Sequence, residues 1–198
     1  MLKKLLPLTT LLLLNALCLC PQLSFANEGG IPIGHLRLSQ ERFEKNGVLI
    51  SRPAAIDEKI LAIIRQNQFQ SVEDYAAWLQ KNMVYKSAAE QDQWSEPGEF
   101  LNTRQGDCKD FASLNSRVLH ILGYQPRVLA LTSSNAGHAV CAFEYAGKIY
   151  WLDNAQLKTS NATNFLELAR ELTGRFHYTR SFEVDLPTKR TSLIYERS

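Results

Sequence analysis

The stretch "RQGDCKDFASL", residues 104–114, sets Gly106, Asp107 and Cys108 directly ahead of an apolar run. Phe111, Leu114, Val118, Leu119 and Leu122 occupy the i, i+3, i+7, i+8 and i+11 positions of one helix face, and Gly123 follows as a stop. The spacing predicts a helix over 108–122, with Asp107 as its N-cap and Cys108 in its first turn. First-turn N–H groups have no partner within the helix, and the aligned peptide dipoles put partial positive charge there. Both favour a thiolate over a thiol, and the same N–H groups can face an oxyanion. Gly106 lets another backbone or a substrate approach closely. A cysteine at a helix start is, taken alone, more often a packing residue. What it does depends on what the rest of the chain brings to it.

Downstream the period changes. "RVLALTS", "HAVCAFEY" and "KIYWLD" are rich in β-branched and aromatic residues with turn signals between them, and read as strands. His138 opens the second strand and Asp153 ends the third. The link "YAGK" is short enough for a hairpin. A turn at Ala146-Gly147 sets Tyr145 against Lys148 and Asp153 opposite Val140; a turn at Gly147-Lys148 sets Asp153 opposite Ala142. Either register leaves Asp153 on the face that carries His138, and the first makes them diagonal neighbours. Cys141, three residues after His138, points to the other face. A Cys108–Cys141 disulfide and a Cys108–His138 pair are therefore hard to reconcile in one geometry. With such a pair, His138 takes the thiol proton and Asp153 fixes the imidazole tautomer.

Helical spacing also marks "DEKILAIIRQNQ" from Asp57, "SVEDYAAWLQKN" with Ser71 as N-cap and Asp74 three residues on, a short turn at "PGEFL", and "NFLELARELT". "FHYTRSFEVDL" fits a returning strand. Helices first and an antiparallel sheet after them make an α+β domain.

The constellation resembles the transglutaminase-like superfamily, a branch of the papain-like cysteine enzymes. The matching residues are Gly106 to Ala112, then Gly137-His138-Ala139-Val140, then Leu152-Asp153-Asn154, spanning roughly residues 70–156. Trp94, Pro97, Glu99 and Phe100 look like the lead-in of its bacterial, exported cysteine-proteinase branch. The resemblance implies N-terminal helices, a catalytic cysteine at a helix N-terminus packed on an antiparallel sheet, and acyl transfer through a thioester. It implies catalytic roles for Cys108, His138 and Asp153 and a protein or peptide substrate. Relatives that release biofilm adhesins hold calcium on acids flanking the cysteine; here Lys109 stands between Asp107 and Asp110, and neither a metal nor another cofactor is assigned.

The N-terminus has its own pattern. Lys3 and Lys4, an apolar run from Leu5 to Leu19 and "SFA" at 24–26 are laid out as a secretory signal peptide. The run falls short of the ~20 residues a membrane span needs. The expected organisation is a signal peptide over 1–26, an irregular lead-in over 27–56 and a transglutaminase-like domain over 57–198, exported to the periplasm and not membrane-bound after cleavage. The signal holds two of the 22 Lys and Arg and none of the 20 Asp and Glu, so the remainder is balanced and lacks the basic stripe of a nucleic-acid binder. Two of the four cysteines also leave with it, and in an oxidising compartment the remaining pair, Cys108 and Cys141, has a disulfide as its alternative fate. The expected function is a cysteine hydrolase or peptidase acting on amides. The alternatives are an amine-accepting transglutaminase and a binding module of the same fold without catalysis.

Overall fold

The computed structural model describes residues 30–45, 48–87 and 94–197, with the backbone alone over 41–53. Residues 1–26, the segment expected to be a signal peptide, lie outside the described residues.

Among the described residues, two antiparallel strands, β1 (Gln40–Lys45) and β2 (Val48–Pro53), come first and pair only with each other. The lead-in over 27–56 is thus not wholly irregular. Helix α1 (Ala55–Gln66) starts ahead of the acid that seemed to open it. Asp57 is no cap: it is fully buried, accepting from the Ser39 N–H at 2.7 Å and from Arg117 Nε at 2.6 Å. A buried carboxylate holding both a backbone donor and a guanidinium is compensated, and this one ties the helix start to a later helix.

Helix α2 (Val72–Asn82) opens on the expected capping box, with Ser71 Oγ accepting from the Asp74 N–H and Asp74 Oδ2 accepting from the Ser71 N–H. Next come β3 (Val84–Tyr85), α3 (Pro97–Thr103) and β4 (Gln105–Gly106), with β4 parallel to β3. Helix α4 (Cys108–Ile121) follows directly. Gly123 then turns the chain with φ +95°, where a Cβ would meet the His35 carbonyl at 2.8 Å. Only glycine suits that turn.

The remaining elements are β5 (Arg127–Thr132), β6 (Gly137–Tyr145), β7 (Lys148–Asp153), β8 (Gln156–Thr159), α5 (Phe165–Arg175), β9 (Arg180–Asp185) and β10 (Arg190–Glu196). Six of these strands form one antiparallel sheet in the order β10-β9-β5-β6-β7-β8. The α+β reading stands, with β8 and β10 as strands the periodicity passed over.

Alternation along β6 divides the core. Ala139, Cys141 and Phe143 join Leu114, Val118 and Leu119 of α4 and the apolar residues of α1 and α2 in one cluster. Val140 and Ala142 face the other way, with Trp151 and with Leu168 and Leu172 of α5. Phe111, Leu114, Val118, Leu119 and Leu122 are all buried, at about 1.5–3 kcal/mol each. That burial fixes α4 against the sheet, and with it the position of its first residue.

Candidate active site

Cys108 is the first residue of α4. Asp107 caps the helix: Oδ1 accepts from the Lys109 N–H at 2.8 Å and, more weakly, from the Asp110 N–H at 3.4 Å. Asp110 Oδ2 returns the contact, accepting from the Asp107 N–H at 2.8 Å. This reciprocal box explains Gly106: a Cβ there would lie 2.3 Å from Asp110 Oδ2 and 2.7 Å from Asp110 Cβ. The Gly106 carbonyl accepts from the Lys86 N–H at 2.8 Å, anchoring the approach to Cys108 on β3. Two of the first-turn N–H groups that the sequence left open are therefore taken by the cap. Both acids flanking the cysteine are used in it too, and Lys109 Nζ stands 3.5 Å from Asp107 Oδ2. Among the described residues, no group of three or more His, Cys, Asp or Glu could hold a metal ion.

His138 sits near the start of β6, and Asp153 ends β7. Tyr145 pairs with Lys148 and Cys141 with Leu152, the first of the two registers considered. The diagonal contact it implies is made: His138 Nε2 lies 2.8 Å from Asp153 Oδ1. The Cys108 side chain is near enough to the imidazole to favour its charged form, and with Nε2 turned to Asp153, Nδ1 is the ring nitrogen left to face the sulfur. The structure thus brings Cys108, His138 and Asp153 together, with His138 and Asp153 in hydrogen-bond contact and Cys108 beside the imidazole. Burial works against a charged imidazole. The hydrogen bond to Asp153, with the negative charges of Asp153 and Cys108, outweighs it and raises His138 to about 9. Burial would raise the Asp153 carboxyl, but His138 and Lys158 overcome it and hold the group below its usual range.

Cys108 and His138 lie on the wall of a cleft of about 480 Å³, with Trp94, Ala130, Ala139 and Phe182 among its other lining residues. Trp94 is only partly buried there. Cys141 is fully buried in the layer between α4 and the sheet, and both cysteines are free. Burial pushes the Cys141 thiol up, so it is a packing residue.

Several residues around this group were not singled out from the sequence. Lys158 Nζ donates to Asp153 Oδ2 at 2.7 Å. Tyr85 and Tyr178 both feel the Cys108 charge, although burial is the first cause of their raised pKa values. Asn115, two turns along α4 from Cys108, accepts from the Tyr75 hydroxyl at 2.7 Å and donates to the Asn154 carbonyl at 2.8 Å. The turn signal at "DNAQ" would have aligned Lys158 with Trp151, had β8 been recognised as a strand.

Two solved structures resemble the fold at low identity. One is a candidate cysteine protease from Cytophaga hutchinsonii, at 13% identity and a TM-score of 0.42 over 62% of this chain and 65% of that one. The other is a TGase, at 13% identity and a TM-score of 0.42 over 63% of this chain and 45% of that one. This chain therefore spans less than two thirds of the length of either. No curated protein matches the sequence. The family profile of the transglutaminase-like domain matches residues 55–175, from the start of α1 to the end of α5, a span that includes Cys108, His138 and Asp153. The chain belongs to the transglutaminase-like domain family.

Proposed function

We propose that the protein is an exported cysteine-dependent hydrolase that cleaves protein or peptide amides, with Cys108, His138 and Asp153 as its catalytic triad in a domain running from 57 to 198. The observation that carries the proposal is the imidazole of His138, 2.8 Å from Asp153 and beside Cys108, with the thiol and the imidazole at the wall of one open cleft. Export is supported by the leader-like pattern of residues 1–26.

His138 Nδ1 takes the Cys108 proton, and a group raised to about 9 retains that proton at neutral pH. The thiolate attacks the amide carbon, forming a C–S bond and a tetrahedral oxyanion. Because the cap engages the Lys109 and Asp110 N–H groups, the Cys108 N–H is the first-turn donor left to face that oxyanion. Collapse breaks the C–N bond, and the imidazolium gives its proton to the departing amine. Water then attacks the thioester while His138 accepts its proton. Collapse breaks the C–S bond and releases the carboxylic acid, leaving the Cys108 thiolate beside the protonated His138. Asp153 stabilises the imidazolium and aligns the ring throughout.

The test compares the exported proteins of cells producing the wild-type chain with those of cells producing Cys108→Ala. New protein N-termini that disappear with the thiol support hydrolysis and name the substrate. Crosslinked species that disappear instead assign an amine as acyl acceptor. Identical profiles, with iodoacetamide failing to label Cys108 ahead of Cys141 at neutral pH, refute the enzyme.

A further inference from the structure

The geometry points to Lys158 as a positioning residue that clamps the Asp153 carboxylate in the orientation His138 requires. The inference rests on the proposed roles of Cys108, His138 and Asp153. The carboxylate is gripped at both oxygens: Oδ1 faces His138 Nε2 at 2.8 Å, and Oδ2 accepts from Lys158 Nζ at 2.7 Å. A carboxylate held at one oxygen can rotate about its last torsion. Held at both, it presents a fixed lone pair to the imidazole.

The ammonium is itself held in place. β8 pairs with β7 so that Lys158 stands directly across from Trp151, and Asp153 across from Gln156. Cross-strand partners share a face, so the lysine stem lies along the indole. Its Nζ sits 4.9 Å from the ring centroid of a tryptophan that is itself fully buried. Cation–π attraction and the carboxylate thus hold the ammonium from two sides. Lys158 remains about one-third exposed and keeps part of its hydration, whereas the carboxylate is 15% exposed.

The charged and titratable groups facing Asp153 are few. His138 comes from β6 and Lys158 from β8, and the Tyr178 hydroxyl, ahead of β9, feels the carboxylate charge. Arg175 of α5 approaches the indole at 5.9 Å and pairs with Glu171. Among the described residues, Lys158 is the lysine bonded to the carboxylate, at the oxygen opposite the one that meets His138.

The test needs no substrate. Iodoacetamide alkylation of Cys108 is followed from pH 5 to 9 in the mature chain and in Lys158→Met, Lys158→Gln and Lys158→Arg, with the His138 ring protons titrated by NMR in parallel. Lys158→Met is expected to slow alkylation at pH 7 about tenfold, the scale of one charge-assisted hydrogen bond, and to shift the His138 titration. Lys158→Arg, which keeps donor and charge, returns both toward wild type. Lys158→Gln, which keeps a donor without charge, falls between and supplies the comparison should the methionine variant misfold. A merely structural lysine would lower the melting temperature without moving either pH midpoint. Wild-type reactivity and an unmoved His138 titration in folded Lys158→Met or Lys158→Gln overturn the clamp and leave the triad standing. A wild-type Cys108 no more reactive than Cys141 overturns both.

Discussion

Asn115 joins three elements through two hydrogen bonds, and that arrangement predicts a measurable coupling. The Tyr75 hydroxyl of α2 donates to its Oδ1, and its Nδ2 donates to the Asn154 carbonyl between β7 and β8. Asn115 is fully buried and Tyr75 is 1% exposed, so water cannot replace a lost partner. In Asn115→Ala the Tyr75 hydroxyl is orphaned at about 2 kcal/mol and the half-buried Asn154 carbonyl at about 1 kcal/mol, a loss of roughly 3 kcal/mol. Tyr75→Phe leaves only Asn115 Oδ1 without a donor and costs about 1.5 kcal/mol. In the double variant neither the orphaned hydroxyl nor the orphaned Oδ1 remains, and its loss falls short of the sum by about 3 kcal/mol. Urea denaturation of the four proteins, fitted with a common slope, reads this directly. Additivity within about 0.3 kcal/mol would refute the reasoning, because two residues that add so closely do not share an interaction.

Further outcomes are expected. Gly106→Ala drives a Cβ into Asp110 and opens the reciprocal cap, destabilising by about 1–2 kcal/mol in urea and slowing Cys108 alkylation; an unchanged midpoint would show that Asp110 swings away freely. His138, raised from 6.5 to about 9 in the folded chain, contributes stability that is complete below pH 6.5 and lost as pH rises through 9, on the order of 3 kcal/mol. Cys108→Ala removes one of the two residues that raise it, so its NMR titration should move down from about 9, and an unmoved midpoint contradicts the contact. Denatured without reductant, the chain from residue 27 onward should titrate two free thiols; none would establish a Cys108–Cys141 disulfide.

Where a signal was carried by period or by a cap, the sequence located it well. The α4 stripe, the Ser71 capping box, Asp107 as an N-cap and the β6–β7 hairpin, in one of its two possible registers, follow from nearest-neighbour chemistry. What escaped notice depended on distant partners. Asp57 resembles a first-turn acid, yet its carboxylate is neutralised by Arg117, sixty residues away. The β8 segment "QLKT" is short, polar and half-exposed, so it has no apolar alternation to announce it, and Lys158 was missed with it. The Asn115 bridge needs three separated elements in place before its side chain means anything. The hairpin in the lead-in lies at a sheet of its own, outside the helix-then-sheet pattern that organises the rest.

The pairing of Cys108 with His138 also holds for a reason that strand parity does not supply. Parity puts Cys141, rather than His138, on the face of the sheet that packs against α4, the helix that begins with Cys108. His138 belongs with Val140 and Ala142, whose side chains meet the layer of α5. In the middle of the sheet such a residue would be separated from the thiol by the sheet itself. The β6–β7 ladder, however, runs only as far as Cys141 and Leu152, and Asp153 already pairs with Gln156 of β8. At His138 the β7 side of β6 is therefore uncovered, and there an imidazole can turn toward the helix N-terminus while Nε2 still reaches the carboxylate at the end of β7. The site exists because three things end together: the helix at Cys108, β6 near His138 and β7 at Asp153. A one-residue lengthening of the Ala146-Gly147 turn would slide Asp153 out of reach without changing any of the three side chains. Inserting a glycine after Gly147 should therefore abolish the preferential alkylation of Cys108 while the α4 core persists; retained reactivity would show that the hairpin register does not position the carboxylate.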